Sequence, residues 1–310
     1  MIEEMIMTIT YRHGTEQDLF QAYTVFRLAL HRLNQSLELA APEDKPNTAD
    51  LQPAFGRFRI YTEHLTHSAE HFWVAEEDGA LVGFSRSVLR DGVRQLSELF
   101  VLPDKQLQGV GQRLLALAFP KEGADNRVII ASPDVRAVSR YLKAGVQLRF
   151  TIYEWGCKPE IVPFETDLII EPIFATPETL AALNAIDHIV LGYTREVDHI
   201  WLIANRHGHL YRRNGQAVGY SYVSNRAGPI AMLNNADFHS ALAHVESEMT
   251  KYVDDIYNEF YVPVPMSNTA AVDYVLKRGC QTTAFLEHFM SDKPLGQYEN
   301  YVFMDPPLIT

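Results

Sequence analysis

The apolar and polar positions along the first half of the chain change period several times, and each change predicts an element. "MTITYR" (7–12) alternates and predicts a strand. "GTEQDLFQAYTVFRLALHRL" (14–33) spaces its apolar residues three and four apart, with acids in the first turn and Thr15 at the N-cap, and predicts a helix. Residues 42–53 are rich in Pro and Asp and read as a loop, and "FGRFRIYTEHLTHS" (55–68) returns to the helical period. "HFWVAEE", "ALVGFSRSVLR" and "VRQLSELFVL" then predict three strands, joined into hairpins by Asp-Gly pairs at 78–79 and 91–92. A helix follows Gly109. "RVIIAS" (127–132) is a continuous apolar run, as a buried strand is. "PDVRAVSRYLKAG" (133–145) predicts a helix with Pro133 near its start and Gly145 just past its end, and "VQLRFTIYEW" (146–155) closes the series. The order is β-α-α-β-β-β-α-β-α-β, an α/β chain with a mixed, largely antiparallel sheet and helices on both faces.

The second half repeats the first. "EDGALVGFSRS" (77–87) matches "RNGQAVGYSYV" (213–223), with Gly79, Val82, Gly83 and Ser85 recurring as Gly215, Val218, Gly219 and Ser221. "AVSRYLKAG" (137–145) matches "AVDYVLKRG" (271–279) in the same order and at nearly the same offset. Two copies of one fold are expected, about 8–157 and 167–303, joined by the Pro-containing, charged "KPEIVPFETD". As domains, the division expected is 1–158 and 159–310.

Composition narrows the function. The 310 residues are 47% hydrophobic and 21% charged, ordinary for a globular protein. Lys and Arg total 27 against 39 Asp and Glu, a net charge of −12 with no basic block. That disfavours nucleic acid and anionic membranes as partners and suits an amine slightly better. The acidic start "MIEEMIMTITYRHG" is no signal peptide, and no run reaches the ~20 apolar residues of a membrane span. A cytoplasmic protein is expected, with Cys157 and Cys280 as two reduced, inert thiols that form no metal-ligand spacing.

"DKQLQGVGQRLL" (104–115) puts Gly109 and Gly111 where a helix begins. The first amides of a helix lack intrahelical partners and the macrodipole is positive there, so a glycine turn at that point is an anion site. Q-x-x-G-x-G differs from the ATP/GTP loop and from the dinucleotide fingerprint. Val101-Leu102-Pro103 followed by Gln106-x-x-Gly109-x-Gly111 resembles the central motif of the GNAT superfamily of N-acetyltransferases. Ala137, Tyr141, Gly145 and Val146 are similar to that family's next motif, and the order of elements is the family's order. One departure is Leu107, where many members carry Gly.

The resemblance implies two tandem GNAT-like acyl-CoA N-acyltransferase domains and acetyl-CoA as co-substrate, with no metal. The backbone at Gln106, Leu107, Gln108, Gly109, Val110 and Gly111, helped by Gln112 and Arg113, would hold the pyrophosphate. Leu99, Phe100 and Val101 would bond the pantetheine amides in the manner of an added strand. Acyl transfer to an amine needs a base for the ammonium, a donor for the oxyanion and a proton for the leaving thiolate. Tyr141 matches the family's proton donor. Glu98, an acid breaking an apolar strand, is the candidate base, with His13, His64, His67, His71 or water as alternatives. The second copy has Val275 where the first has Tyr141, and "GPIAMLNNADFHSALAHVE" lacks the glycine loop, so it is expected to have lost the cofactor. The acceptor would be a small-molecule or peptide amine, and monomer or homodimer stays open. A noncatalytic acyl-CoA or small-molecule binding protein on the same double fold is the alternative.

Overall fold

The computed structural model describes residues 9–41, 43–44, 49–253 and 258–306, with the backbone alone at Thr283 and Ala284. Contacts divide the chain into two compact units, Met1–Ile129 and Ile130–Thr310.

In the first unit, β1 is Thr10–His13; Met7 and Thr8 of the expected strand lie outside the described residues. Thr15 and Asp18 close a capping box, with the Thr15 amide donating to Asp18 Oδ2 at 2.8 Å, and a 3-10 turn leads into α1 (Leu19–Ser36). α2 (Leu51–His67) starts earlier than the pattern predicts, so the end of the expected 42–53 loop is helical. Pro53 suggested a loop, but it sits in the first turn, where its missing N–H breaks no helix bond. Strands β2 (Ala69–Glu77), β3 (Ala80–Arg90), β4 (Val93–Val101) and β5 (Asn126–Ala131) complete the order β1-β2-β3-β4-β5. Neighbours run antiparallel except β4 and β5. Asp78, Gly79, Asp91 and Gly92 all have positive φ, as two-residue hairpins with the native twist require. Leu19, Tyr23 and Phe55 of α1 and α2 pack with Phe72, Val74 and Phe84, and α3 (Val110–Ala118) sets Val110 and Leu114 with Ala75 and Val82.

The second unit holds α4 (Val135–Lys143) and β6 (Gln147–Cys157), then the second repeat. The repeat runs β7 (Ile169–Pro172), α5 (Pro177–Val190), α6 (Glu196–Asn205), β8 (His207–Arg213), β9 (Gln216–Val223), β10 (Ala227–Met232), α7 (Phe238–Met249), β11 (Phe260–Pro265), α8 (Thr269–Lys277) and β12 (Gln281–Ser291). That is the element order of the first repeat, followed by a short β13 (Tyr301–Val302). The matching glycines serve one purpose in both copies. A Cβ on Gly83 would stand 3.0 Å from the Phe100 carbonyl oxygen, and one on Gly219 would stand 2.7 Å from that of Ala231.

The compact units do not end where the repeats do. β6 closes the first repeat in sequence but lies between β11 and β12, in the order β12-β6-β11, pairing Trp155 with Val262 and Ile152 with Glu287. The expected division at 158/159 therefore differs from the contact boundary at 129/130. The same pairing corrects the expectation of two free thiols. Cys157 at the end of β6 and Cys280 just before β12 stand 4.5 Å apart at their Cα atoms and form a disulfide. Remote in sequence, they are brought together by a strand register that the sequence does not display.

Candidate active site

The glycine loop is built from the end of β4. The parallel β4–β5 ladder runs only from Val93↔Asn126 to Leu96↔Ile129. Leu99, Phe100 and Val101 pair with β3 on one side, and among the described residues no strand pairs with them on the other. After a 3-10 turn at Pro103–Lys105, Gln106 is extended and its Nε2 donates to the Val101 carbonyl at 3.2 Å. Leu107 then takes φ +66° and Gly109 φ +87° before α3 begins at Val110. A left-handed backbone at leucine costs on the order of 1 kcal/mol, and the Leu107 side chain is 87% exposed, gaining little burial in return. At Gly109 no atom lies within 4 Å of where a Cβ would stand. The Arg113 amide is the first in α3 to reach back, to the Gly109 carbonyl at 3.0 Å, leaving the Val110, Gly111 and Gln112 amides at the positive end of the helix. Gln112 and Arg113 are exposed, and the Arg113 charge reaches the Tyr11 phenol, opposing the rise that burial causes there.

The two expected catalytic side chains are both buried. Glu98 pairs with Arg86 across the β3–β4 ladder, Arg86 Nη1 to Glu98 Oε2 at 2.7 Å, and only 4% of Glu98 is exposed. Burial raises the Glu98 carboxyl above its usual range and Arg86 opposes that rise. The Arg86 guanidinium also stacks on Phe72 at 4.3 Å. Glu98 is thus held in a buried ion pair with Arg86. Tyr141 lies in the second unit, on α4, where burial pushes its phenol up to about 12. The histidines have other occupations. His13 lies tilted against Trp73 with ring centroids 3.9 Å apart, His67 meets Glu16 at 2.8 Å, and His64 is buried in α2. Burial lowers His71. Among the described residues no group of three or more His, Cys, Asp or Glu is placed to hold a metal, and no helix is long and apolar enough to cross a membrane.

Residues 68–147, which include β4, the loop and α3, match the acetyltransferase (GNAT) domain family. A tandem GNAT protein from the clavulanic acid biosynthesis pathway superimposes with a TM-score of 0.57 at 12% identity, over 93% of this chain and 99% of that one. The fold is a tandem GNAT fold. A GCN5-related N-acetyltransferase from Sphaerobacter thermophilus gives a TM-score of 0.61 at 10% identity, over 92% and 96% of the two chains. A presumed acetyltransferase from Pyrococcus horikoshii gives 0.68 at 13% identity, over 94% and 92%. Comparison with curated proteins finds no match.

The second GNAT repeat departs from the first at every point of the loop. β10 corresponds to β4, but its free edge is filled by the chain's own β13, which pairs Val302 with Ile230 and Tyr301 with Ala231. The Phe303 amide continues this by donating to the Pro263 carbonyl at 3.1 Å, and Tyr301 to Met304 are buried. In place of the glycine turn, Asn234 accepts from the Ala236 amide and Asp237 precedes α7. Tyr274, one residue from the position that matches Tyr141, donates to Glu246 at 2.6 Å.

A buried polar network, not foreseen from the sequence, fills the second repeat between α5, α6 and β9. Asp187 accepts from Arg195 Nε at 2.9 Å and faces His199 Nε2 at 2.8 Å, and the Tyr220 hydroxyl donates to it. Arg195 also donates to the Tyr220 and Tyr301 hydroxyls at 2.8 Å each. The sequence signal was slight: Arg195 at the N-cap of α6 and His199 four residues on. Arg195 and His199 hold the Asp187 carboxyl below its usual range against the effect of burial. A carboxyl lowered on folding stabilises above its unfolded value near ~3.9, and that stabilisation fades as pH falls through the lowered value. Asp187→Ala strands Arg195 without its anion and is expected to cost about 3–5 kcal/mol at neutral pH, read as the shift in denaturant midpoint.

Proposed function

We propose that the chain transfers an acetyl group from acetyl-CoA to an amine, with the cofactor held by the first repeat. The observation that carries this is the turn at Leu107 to Gly109, opening onto the α3 N-terminus beside the unpaired edge of Leu99 to Val101. The open space at Gly109 lets phosphate oxygens approach the amides of Gly109 to Gln112, and Arg113 adds a positive charge. The free edge of β4 offers backbone groups to the two amides of an extended pantetheine arm.

The amine attacks the thioester carbonyl, its N–C bond forms, the C–S bond breaks and the thiolate leaves. Tyr141 enters through its motif position as the group that meets the thiolate. With the phenol at about 12 and a thiol near ~8.5, full transfer from Tyr141 to sulfur would be uphill by on the order of 5 kcal/mol. Its role is a hydrogen bond to the developing thiolate, with water delivering the final proton. The ammonium proton leaves through water, with Glu98 contributing field more than direct contact.

Incubation of the full chain with acetyl-CoA and a panel of primary amines tests this, with the acetylated product and released CoA read by mass spectrometry. Transfer to at least one amine class above the rate of hydrolysis is expected. Tight binding of acetyl-CoA with transfer to none would leave the noncatalytic binding reading in its place.

A further inference from the structure

The disulfide between Cys157 and Cys280 sits where two strand ladders stop. Phe260↔Cys157 ends the β11–β6 ladder, and Gln281↔Gly156 begins the β12–β6 ladder. Cys280 lies one residue before β12, and its amide donates to the Val275 carbonyl at 2.9 Å in the turn that ends α8. The backbone pairing is therefore complete without the bridge, and the S–S bond can open without breaking a rung of the β12–β6 ladder.

The two cysteines are unequally covered. Cys280 is 6% exposed and belongs to the apolar core that also holds Trp155, Tyr274 and Val275. Cys157 is half-buried and lines a cavity of about 440 Å³, a volume within the range of small-molecule sites. Each cysteine follows a glycine, and both glycines line the same cavity. Gly279 has φ +72°, as the left-handed end of α8 requires, and no atom lies within 4 Å of where its Cβ would stand. Lys158 and Glu259, both exposed, bring opposite charges to the cavity. The Glu259 carboxylate stands 3.3 Å from where a Cβ on Gly156 would be, next in the chain to Cys157. Glu154, the other acid of the lining, accepts from the Tyr261 hydroxyl. A disulfide sealed in a core resists outside thiols, whereas one with an accessible cysteine is open to exchange.

We propose that Cys157 is a thiol-exchange site, at which a small zwitterionic thiol seated in this cavity opens the bridge by forming a mixed disulfide. Its carboxylate lies toward Lys158 and its ammonium toward Glu259. Lys158 also supplies positive charge beside the reacting sulfur, which favours the thiolate form of the incoming group. The incoming thiolate sulfur bonds to Cys157 Sγ, the Cys157–Cys280 bond breaks, and Cys280 Sγ leaves with the electron pair and takes a proton from water. A second thiolate then attacks the outer sulfur of the adduct, releasing the thiol as its own disulfide and leaving Cys157 as a thiolate. The two electrons that reduce the bridge come from the two small thiols.

Reduced glutathione in excess, added to the full oxidised chain without denaturant, tests this by acid quench and peptide mass spectrometry. One glutathione on Cys157, with Cys280 as a free thiol, is expected while the far-ultraviolet circular dichroism stays native. Compared per thiolate, glutathione should open the bridge about tenfold faster than 2-mercaptoethanol, which carries neither charge. Lys158→Ala and Glu259→Gln together should bring the two thiols level. In Cys280→Ser, Cys157 should accept glutathione from its oxidised form, whereas in Cys157→Ser the buried Cys280 should stay unmodified. A bridge that opens only in denaturant, glutathione on Cys280 in place of Cys157, or a preference for glutathione that the double variant leaves unchanged would overturn the proposal.

Discussion

Gly109→Asp should lower acetyl-CoA affinity by about 10²–10³-fold, while Gly109→Asn should cost about tenfold less. Both side chains meet the same backbone, at φ +87°, and both find open space there. Asn and Asp tolerate the left-handed region alike, so strain and bulk cancel between them. What differs is a negative charge at the start of α3, beside amides that would face phosphate oxygens. Two unit charges 4 Å apart near a protein surface repel by about 4 kcal/mol, which sets the upper end of the range. The effect should shrink with added salt. Equal affinities for the Asp and Asn variants, measured by calorimetry, would remove the pyrophosphate from this loop.

Tyr141→Phe should keep acetyl-CoA binding and lose turnover by about 10²-fold or more. The ring is buried, so phenylalanine fills the same space. The loss should fall on kcat more than on KM, because a bond to sulfur strengthens as the thiolate forms. Burial sets the phenol at about 12, so the wild-type rate should show no ionisation of Tyr141 across neutral and mildly alkaline pH. A Phe variant that turns over the best amine at the wild-type rate, with chemistry limiting, would make Tyr141 a packing residue.

The sequence displayed whatever depends on local chemistry. Asp-Gly pairs became hairpins because only that backbone twist joins such strands. The paired Val-Gly-aromatic-Ser segments marked the repeat because Gly83 and Gly219 each lie against a neighbouring carbonyl. The loop from Gln106 to Gly111 was legible because glycine at a helix start has a narrow range of uses. What the sequence hid depends on register between distant strands. Nothing local announces that β6 lies between β11 and β12, or that this joins Cys157 to Cys280. The partner of Glu98 was hidden for the same reason: Arg86 is its neighbour only once β3 and β4 pair. The missing glycine loop of the second repeat could be read directly, but not the strand that fills the edge of β10. β13 lies some seventy residues from β10 in sequence and meets it only in the folded chain.

That strand makes the number of cofactor sites the most direct measure of this account. The first repeat leaves Leu99 to Val101 with a free edge beside a glycine turn, and the second closes the same edge with Tyr301 and Val302. Calorimetric titration of acetyl-CoA into the full chain should end at one molecule per chain, and in Gly109→Asp that single event should disappear from the same concentration range. An endpoint of two per chain, or one site that survives unchanged in Gly109→Asp, would contradict it.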